Sequence, residues 1–226
     1  MYTIREITTP LTDSQKQEIL SLVDANTDSV GTYVVEKNSP FYKYISMREN
    51  MRTSAYFDRL QKKDDHQTHI IVGENTIGNV IGYLLYIKDR TCADDVSICS
   101  TVVATDYRRQ GVFTGMLNQL KSKCKGIGLS CSIELVGFYE KFEFQVDDQF
   151  ETQVGMSWGG FGGKGEFWSV DDDDINHLPQ VEFVLQIIQE ELGQSFDRRL
   201  SRFNMDNVRE KNKVAEFIRK YKNSHS

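Results

Sequence analysis

The stretch from Val96 to Ser132 constrains the fold more than any other part of the chain. An apolar run, Val96–Val103, leads through an arginine- and glycine-bearing turn, YRRQG, into a segment with Phe113, Met116, Leu117, Leu120 and Cys124 at offsets 0, 3, 4, 7 and 11. Those offsets form one stripe of a 3.6-residue helix. A basic last turn (Lys121, Lys123, Lys125) and then Gly126 and Gly128 read as its end, and a second apolar run, Leu129–Ser132, follows. Strand, helix and strand in this order point to a parallel crossover.

The flanking patterns add antiparallel neighbours. Tyr2–Ile7 alternates as a strand, and Thr12-Asp13-Ser14 supplies caps for a helix to about residue 25. Residues 27–40 read as a loop, and Phe41–Leu60 as a second helix with Tyr44, Met47, Met51 and Tyr56 near one side. His69–Glu74 and Val80–Ile87, joined by a turn at Asn75–Asn79, form a hairpin. A short helix over Val136–Phe142 and strands near Phe144–Val146 and Gln153–Trp158 complete the pattern. The fold class is therefore α/β with a mixed sheet and a parallel crossover near its middle. The core spans residues 1–157. Residues 158–226 form an appendage, a Gly/aromatic flap from Trp158 to Trp168 and a helical extension beyond it. That extension has one helix through Val181, Val184, Leu185, Ile188 and Leu192, and another over Asn207–Tyr221.

Composition narrows the function classes. With 27 Lys and Arg against 33 Asp and Glu, the net charge is −6. The chain thus lacks the broad basic footprint of a nucleic-acid binder, and its field favours a cationic substrate such as an amine. The four cysteines include no CxxC pair and no histidine at zinc-ligand spacing, so no metal site is expected. No leader-like or membrane-spanning run is present, and a reducing, cytoplasmic setting fits.

The turn itself suggests phosphate chemistry. A strand that turns directly into a helix leaves the first helical N–H groups unpaired, at the positive end of the helix dipole. Arg108, Arg109, Gln110 and Gly111 occupy that turn, and Thr114 adds a hydroxyl in the first helical turn. There is no GxGxxG, and the glycines at 159–165 lack the order of a Walker loop.

Together with SIELVGFYEKFEF, Ser132–Phe144, the segment VVATDYRRQGVFTGML resembles the GNAT superfamily of N-acetyltransferases. The acetyl-CoA signature of that superfamily, Arg/Gln-x-x-Gly-x-Gly/Ala, falls on Arg108, Arg109, Gln110, Gly111, Val112 and Phe113. Its Phe-Tyr-Glu-Lys-x-Gly-Phe helix falls on Phe138 to Phe144. Phe113 replaces the second small residue, Glu143 replaces the glycine before the last Phe, and the interval between the motifs is short. The resemblance implies a GNAT acyl-CoA N-acyltransferase fold with a C-terminal helical extension, and acetyl-CoA as cosubstrate. It implies pantetheine pairing along Thr101, Val102 and Val103, pyrophosphate held by Arg108–Phe113, and Tyr139 as the acid that protonates the CoA thiolate.

The resemblance does not carry a general base. The place where many members have a strand Glu falls on or near Ser97; Asp94, Asp95, Glu134, His66 and His69 remain candidates. The acceptor is expected against residues 25–60, where Tyr33, Glu36, Phe41, Tyr42 and Tyr44 lie. The implied activity is direct acetyl transfer to a primary amine of a small molecule or peptide, without nucleic acid or membrane. A non-catalytic acyl-CoA-binding or regulatory module is the alternative. The C-terminal helices offer a route to a homodimer.

Overall fold

The computed structural model describes residues 1–224. Seven strands form one sheet: β1 (Tyr2–Glu6), β2 (Thr68–Asn75), β3 (Val80–Lys88), β4 (Asp95–Val103), β5 (Gly126–Cys131), β6 (Gln145–Phe150) and β7 (Gln153–Gly159). Their order is β1-β2-β3-β4-β5-β7-β6, and only β4 and β5 run parallel. The helices are α1 (Asp13–Ala25), α2 (Tyr42–Phe57), α3 (Val112–Lys121), α4 (Val136–Glu140), α5 (Asp172–Asn176), α6 (Pro179–Leu192) and α7 (Phe196–Ser224). The mixed α/β architecture and its central crossover are those expected from the sequence.

Local chemistry starts the helices. Thr12 closes a capping box with Gln15: its Oγ1 accepts the Gln15 N–H at 3.2 Å, and Gln15 Oε1 accepts the Thr12 N–H at 3.1 Å. Glu18 then accepts the Val80 N–H at 2.8 Å, which fixes α1 to the start of β3. α3 lies close on the opposite face because the sheet is bare beneath it. A Cβ on Gly73 would meet Val112 Cγ1 at 2.8 Å, and one on Gly82 would meet it at 3.3 Å. Val112, Met116, Leu117 and Leu120 are buried there with Ile127 and Val154.

Three details differ from the sequence reading. α3 ends at Lys121, and Gly126 and Gly128 lie inside β5, where they let Phe161 approach the strand. The buried side of α2 runs through Ile45, Arg48, Glu49, Thr53 and Tyr56 rather than Met47 and Met51. α7 begins at Phe196, well before Asn207, because Phe196, Leu200 and Phe203 continue a helical stripe through a highly charged stretch.

The appendage packs on its own chain. Val214 and Ile218 of α7 join the core beneath β5–β7, while Phe203 packs on Tyr33 and Phe41. Asn207 holds the loop between α1 and α2, accepting the Val34 N–H at 2.9 Å and donating to its carbonyl at 3.3 Å. The expected flap is pinned instead. The Gly162 and Gly163 N–H groups donate to buried Asp95 at 2.8 and 2.6 Å, and the Glu166 N–H donates to Asp89 at 2.8 Å. This places residues 162–166 at the end of the sheet where β4 begins. Among the described residues no helix is long and apolar enough to cross a membrane.

Phe203 closes the contact between α7 and the α1–α2 loop. Phe203→Ala is expected to destabilise the chain by about 3–5 kcal/mol, read as a lower urea midpoint at unchanged m-value.

Candidate active site

β4 pairs with β5 over three rungs only, Asp95–Gly126, Val96–Ile127 and Ser97–Gly128. Immediately beyond, β4 carries a bulge against β3: Leu85 pairs with Ser100 and Tyr86 with Ile98, leaving Cys99 as the extra residue. From Ile98 to Val103, β4 is paired on its β3 side alone, and from Leu129 to Cys131, β5 is paired only with β7. Two strand edges thus face each other across a widening gap, each with backbone groups that an extended chain can pair.

At the mouth of the gap the chain turns through Thr105–Tyr107 into α3. Arg109 has φ +62° and Gly111 φ +86°, left-handed conformations of the kind from which anion-binding backbone nests are built. Gly111 caps α3 without a side-chain bond. The amides of residues 109–114 have no acceptor among the described residues. The backbone therefore presents the donors that an anionic phosphate group needs.

The side chains of the turn divide the work. Arg108 is a brace, with Nε donating to the Val103 carbonyl at 3.1 Å and Nη2 to Asn26 Oδ1 at 2.5 Å. Gln110 Nε2 donates to the Asp106 carbonyl at 2.7 Å. Arg109 and Thr114 are exposed. Thr101 Oγ1 bonds the Tyr83 carbonyl at 2.9 Å, Val102 is buried toward α1, and Val103 sits toward α3.

Phe113 joins the two sequence motifs physically. Its ring packs on Phe138, Tyr139 and Phe142 at centroid distances of 5.3, 5.8 and 5.4 Å. Tyr139 is 7% exposed, held edge-on by Phe113 and Phe144, and burial raises its pKa, so it stays protonated. Its hydroxyl has no hydrogen-bond partner among the described residues. Glu143, where a glycine was expected, has φ +68°, the conformation glycine adopts freely.

The other flank of the gap is polar. Tyr83 Oη and Ser100 Oγ of β4 share a hydrogen bond at 2.8 Å, and Tyr83 lies within electrostatic reach of Glu49. A Cβ on Gly31 would stand 2.6 Å from the Glu49 carboxylate. The Gly31 carbonyl in turn accepts Gln153 Nε2 at 2.7 Å, and Gln153 Oε1 accepts Ser130 Oγ of β5 at 2.5 Å. The α1–α2 loop thus bridges the gap, with Glu49 beneath it. Glu49 is 2% exposed, and burial raises its pKa against the opposing pull of Arg52 and Arg48.

The carboxylates and histidines noted in the sequence lie elsewhere. Asp94 pairs with Lys125, Asp95 anchors the glycine segment, and Glu134 is exposed. His69 stacks on Tyr86 beside Glu6, and His66 lies against Trp168. Sequence reading missed Glu49 because a charged residue on a helix counts against burial. Its signal was the spacing Ile45, Arg48, Glu49, Thr53 and Tyr56, a stripe once charge is disregarded.

A sequence profile of the Acetyltransferase (GNAT) family matches residues 25–144, just over half of the chain. The chain belongs to the GNAT acetyltransferase family. Acetyl-CoA is the acetyl donor of that family. Among solved structures, PaiA N-acetyltransferase from Thermoplasma acidophilum, crystallised with coenzyme A, is similar at 14% identity and a TM-score of 0.52. The match covers 70% of this chain and 99% of that one. A GCN5-related N-acetyltransferase from Kribbella flavida matches at 14% identity and a TM-score of 0.48, over 70% of this chain and 98% of that one. No curated protein matches the chain.

The GNAT core also holds two thiols, Cys99 and Cys131, and desolvation pushes each up to about 12. Both are protonated at neutral pH and poor nucleophiles. Their alkylation by iodoacetamide at pH 8 should be at least about a hundredfold slower in the folded than in the urea-unfolded chain, followed by mass spectrometry of the peptides.

Proposed function

We propose that this protein transfers an acetyl group from acetyl-CoA to a primary amine by direct attack, both substrates being bound together. The observation that carries the reading is the parting of β4 from β5 after Ser97, which ends at a turn of unpaired amides. An extended pantetheine arm matches the open strand edges, and a pyrophosphate matches the amides of residues 109–114. Bound acetyl-CoA supplies an activated acyl group with a thiol leaving group.

The residues of the chain then take defined parts. Backbone groups of Thr101, Val102 and Val103 orient the donor, and one amide on this edge polarises the thioester carbonyl. We assign to Glu49, which lies within electrostatic reach of Tyr83 where that tyrosine bonds Ser100 of β4, the acceptance of a proton from the incoming ammonium, directly or through one water. As the new C–N bond forms and the C–S bond breaks, Tyr139, protonated and without a partner among the described residues, gives its proton to the departing thiolate and is reprotonated by the proton that the new amide nitrogen sheds. Cys99 and Cys131 take no covalent part, since burial keeps both thiols protonated. Four unpaired thiols suit a reducing compartment.

Calorimetric titration with acetyl-CoA tests the donor site. Binding is expected in the unaltered chain and should be lost in Gly111→Glu, which sets a carboxylate and a strained side chain against the phosphate amides. A folded Gly111→Glu protein with undiminished affinity would move the phosphate site elsewhere. Saturable CoA binding with no thiol release over a broad amine panel would leave a binding module instead of an enzyme.

The acid and base roles make separate predictions. Tyr139→Phe should lower kcat at least about tenfold with little change in acetyl-CoA affinity, general acid catalysis contributing typically ~10²–10⁴-fold. Glu49 cannot accept a proton below its pKa, and burial raises that pKa. The acid limb of kcat/KM should therefore rise at a pH above the ordinary carboxylate range and flatten in Glu49→Gln. An unchanged limb in that variant would remove Glu49 from the base role.

A further inference from the structure

Behind Glu49, two arginines of α2 are held together by a single carboxylate from the appendage. Asp172 Oδ1 accepts Arg48 Nη2 at 3.0 Å and also Arg52 Nη2. Arg48 is 1% exposed, its guanidinium lies 4.4 Å from the centroid of the Tyr33 ring, and its Nε is buried with no hydrogen-bond partner among the described residues. Arg52 reaches Glu49 at 3.4 Å and lies within electrostatic reach of Cys99 at the β4 bulge. This sets Arg52 near the stretch of β4 that borders the gap.

Burying one guanidinium group and most of a second is costly unless carboxylates meet them. Glu49 meets one part of that demand from inside. The other part is met by Asp172, whose side chain is 46% exposed and belongs to a short helix at the surface. A half-exposed acid over buried arginines is the least committed member of the group. Were it to turn into water, Arg48 and Arg52 would lose the one carboxylate they share, with Glu49 still beside Arg52.

We propose that the acceptor is an amine that carries its own carboxylate, as a free α-amino acid does, and that this carboxylate replaces Asp172 on Arg48 and Arg52. The inference rests on the acetyltransfer reading and names its acceptor class. Charge complementarity is local: the ammonium faces Glu49 and the carboxylate faces the two arginines, although the chain as a whole is acidic. Asp172 acts as a built-in competitor that keeps the arginines paired until substrate arrives. The planar, fixed-charge guanidinium suits such bidentate recognition.

The test compares the twenty standard amino acids with the amines left when each loses its carboxylate, by calorimetric titration of the full chain with and without saturating CoA. At least one amino acid should bind about tenfold or more tightly than its amine, as expected for hydrogen bonds to a charged group. The ratio should grow in Asp172→Asn, where the competitor is neutral, and collapse toward one in Arg52→Gln. Bound amino acid should also raise the melting temperature of Asp172→Asn more than that of the unaltered chain. The proposal is overturned if no amino acid binds, if the amines bind equally well, or if Asp172→Asn leaves the ratio unchanged. It is also overturned if propionate binds as tightly as the amino acids. Failure of acetyl-CoA to bind would sink the acetyltransfer reading alone, because the titrations without CoA still score the arginine site.

Discussion

The early parting of β4 and β5 is the constraint on which the rest of the molecule depends. A sheet normally continues its ladder, because unpaired backbone groups shielded from water are expensive. Here the ladder stops at Ser97 and Gly128 although both strands run on. The bulge at Cys99 turns β4 away, and β7 keeps β5 in line through Gly126–Cys131. The α1–α2 loop then spans the opening through Gly31, Gln153 and Ser130. The wedge is held open from both sides, and its edges stay available to a ligand.

Phe113 shows how packing couples the two ends of the site. The position allows a small residue, and a phosphate needs only the backbone there. A phenylalanine adds an aromatic plug between the first turn of α3 and the Tyr139 ring. Val112 meanwhile anchors the same turn into the hollow above Gly73 and Gly82. Adjacent side chains thus fix the amide-bearing turn in two directions, one toward the sheet and one toward α4. Aromatic pairs of this kind contribute about 0.5–1.5 kcal/mol each beyond area burial, enough together to hold both elements in register.

Much of this was legible in the sequence because it follows from local periodicity. Strand alternation, the stripe from Phe113 to Leu120 and the helix caps at Thr12-Asp13-Ser14 each depend on residues close together in the chain. The strand order around β4 followed from the crossover. The donor side was readable too, since a strand-turn-helix carries its own chemistry in its backbone. What was not legible depends on distant residues. Nothing near Gly126 shows that it lies inside a strand, since Asp95 and Phe161 decide that from far along the chain. The early start of α7 rests on Phe41 and Tyr33 receiving Phe203. Likewise Trp158–Trp168 has the composition of a free flap, and only Asp89 and Asp95 reveal that its glycine amides are tied down.

The acceptor side illustrates the same limit in its sharpest form. A helix whose inward stripe holds Arg48 and Glu49 looks unpromising by hydropathy, and its burial is stable only as a set. Two arginines, Arg48 and Arg52, meet two acids, Glu49 and Asp172, and each opposite pair offsets part of the desolvation of the other. A purely structural solution for this volume would be apolar, since replacing buried ion pairs with hydrophobic residues is often neutral or stabilising. The polar set instead leaves Arg48 Nε without a partner among the described residues and entrusts its last contact to a half-exposed aspartate. That arrangement is poor as a core and well suited as a site. Fixed positive charge lies beneath a half-exposed acid and beside a carboxylate whose proton affinity is raised by burial, and under the proposed reading recognition and proton transfer would share one helix.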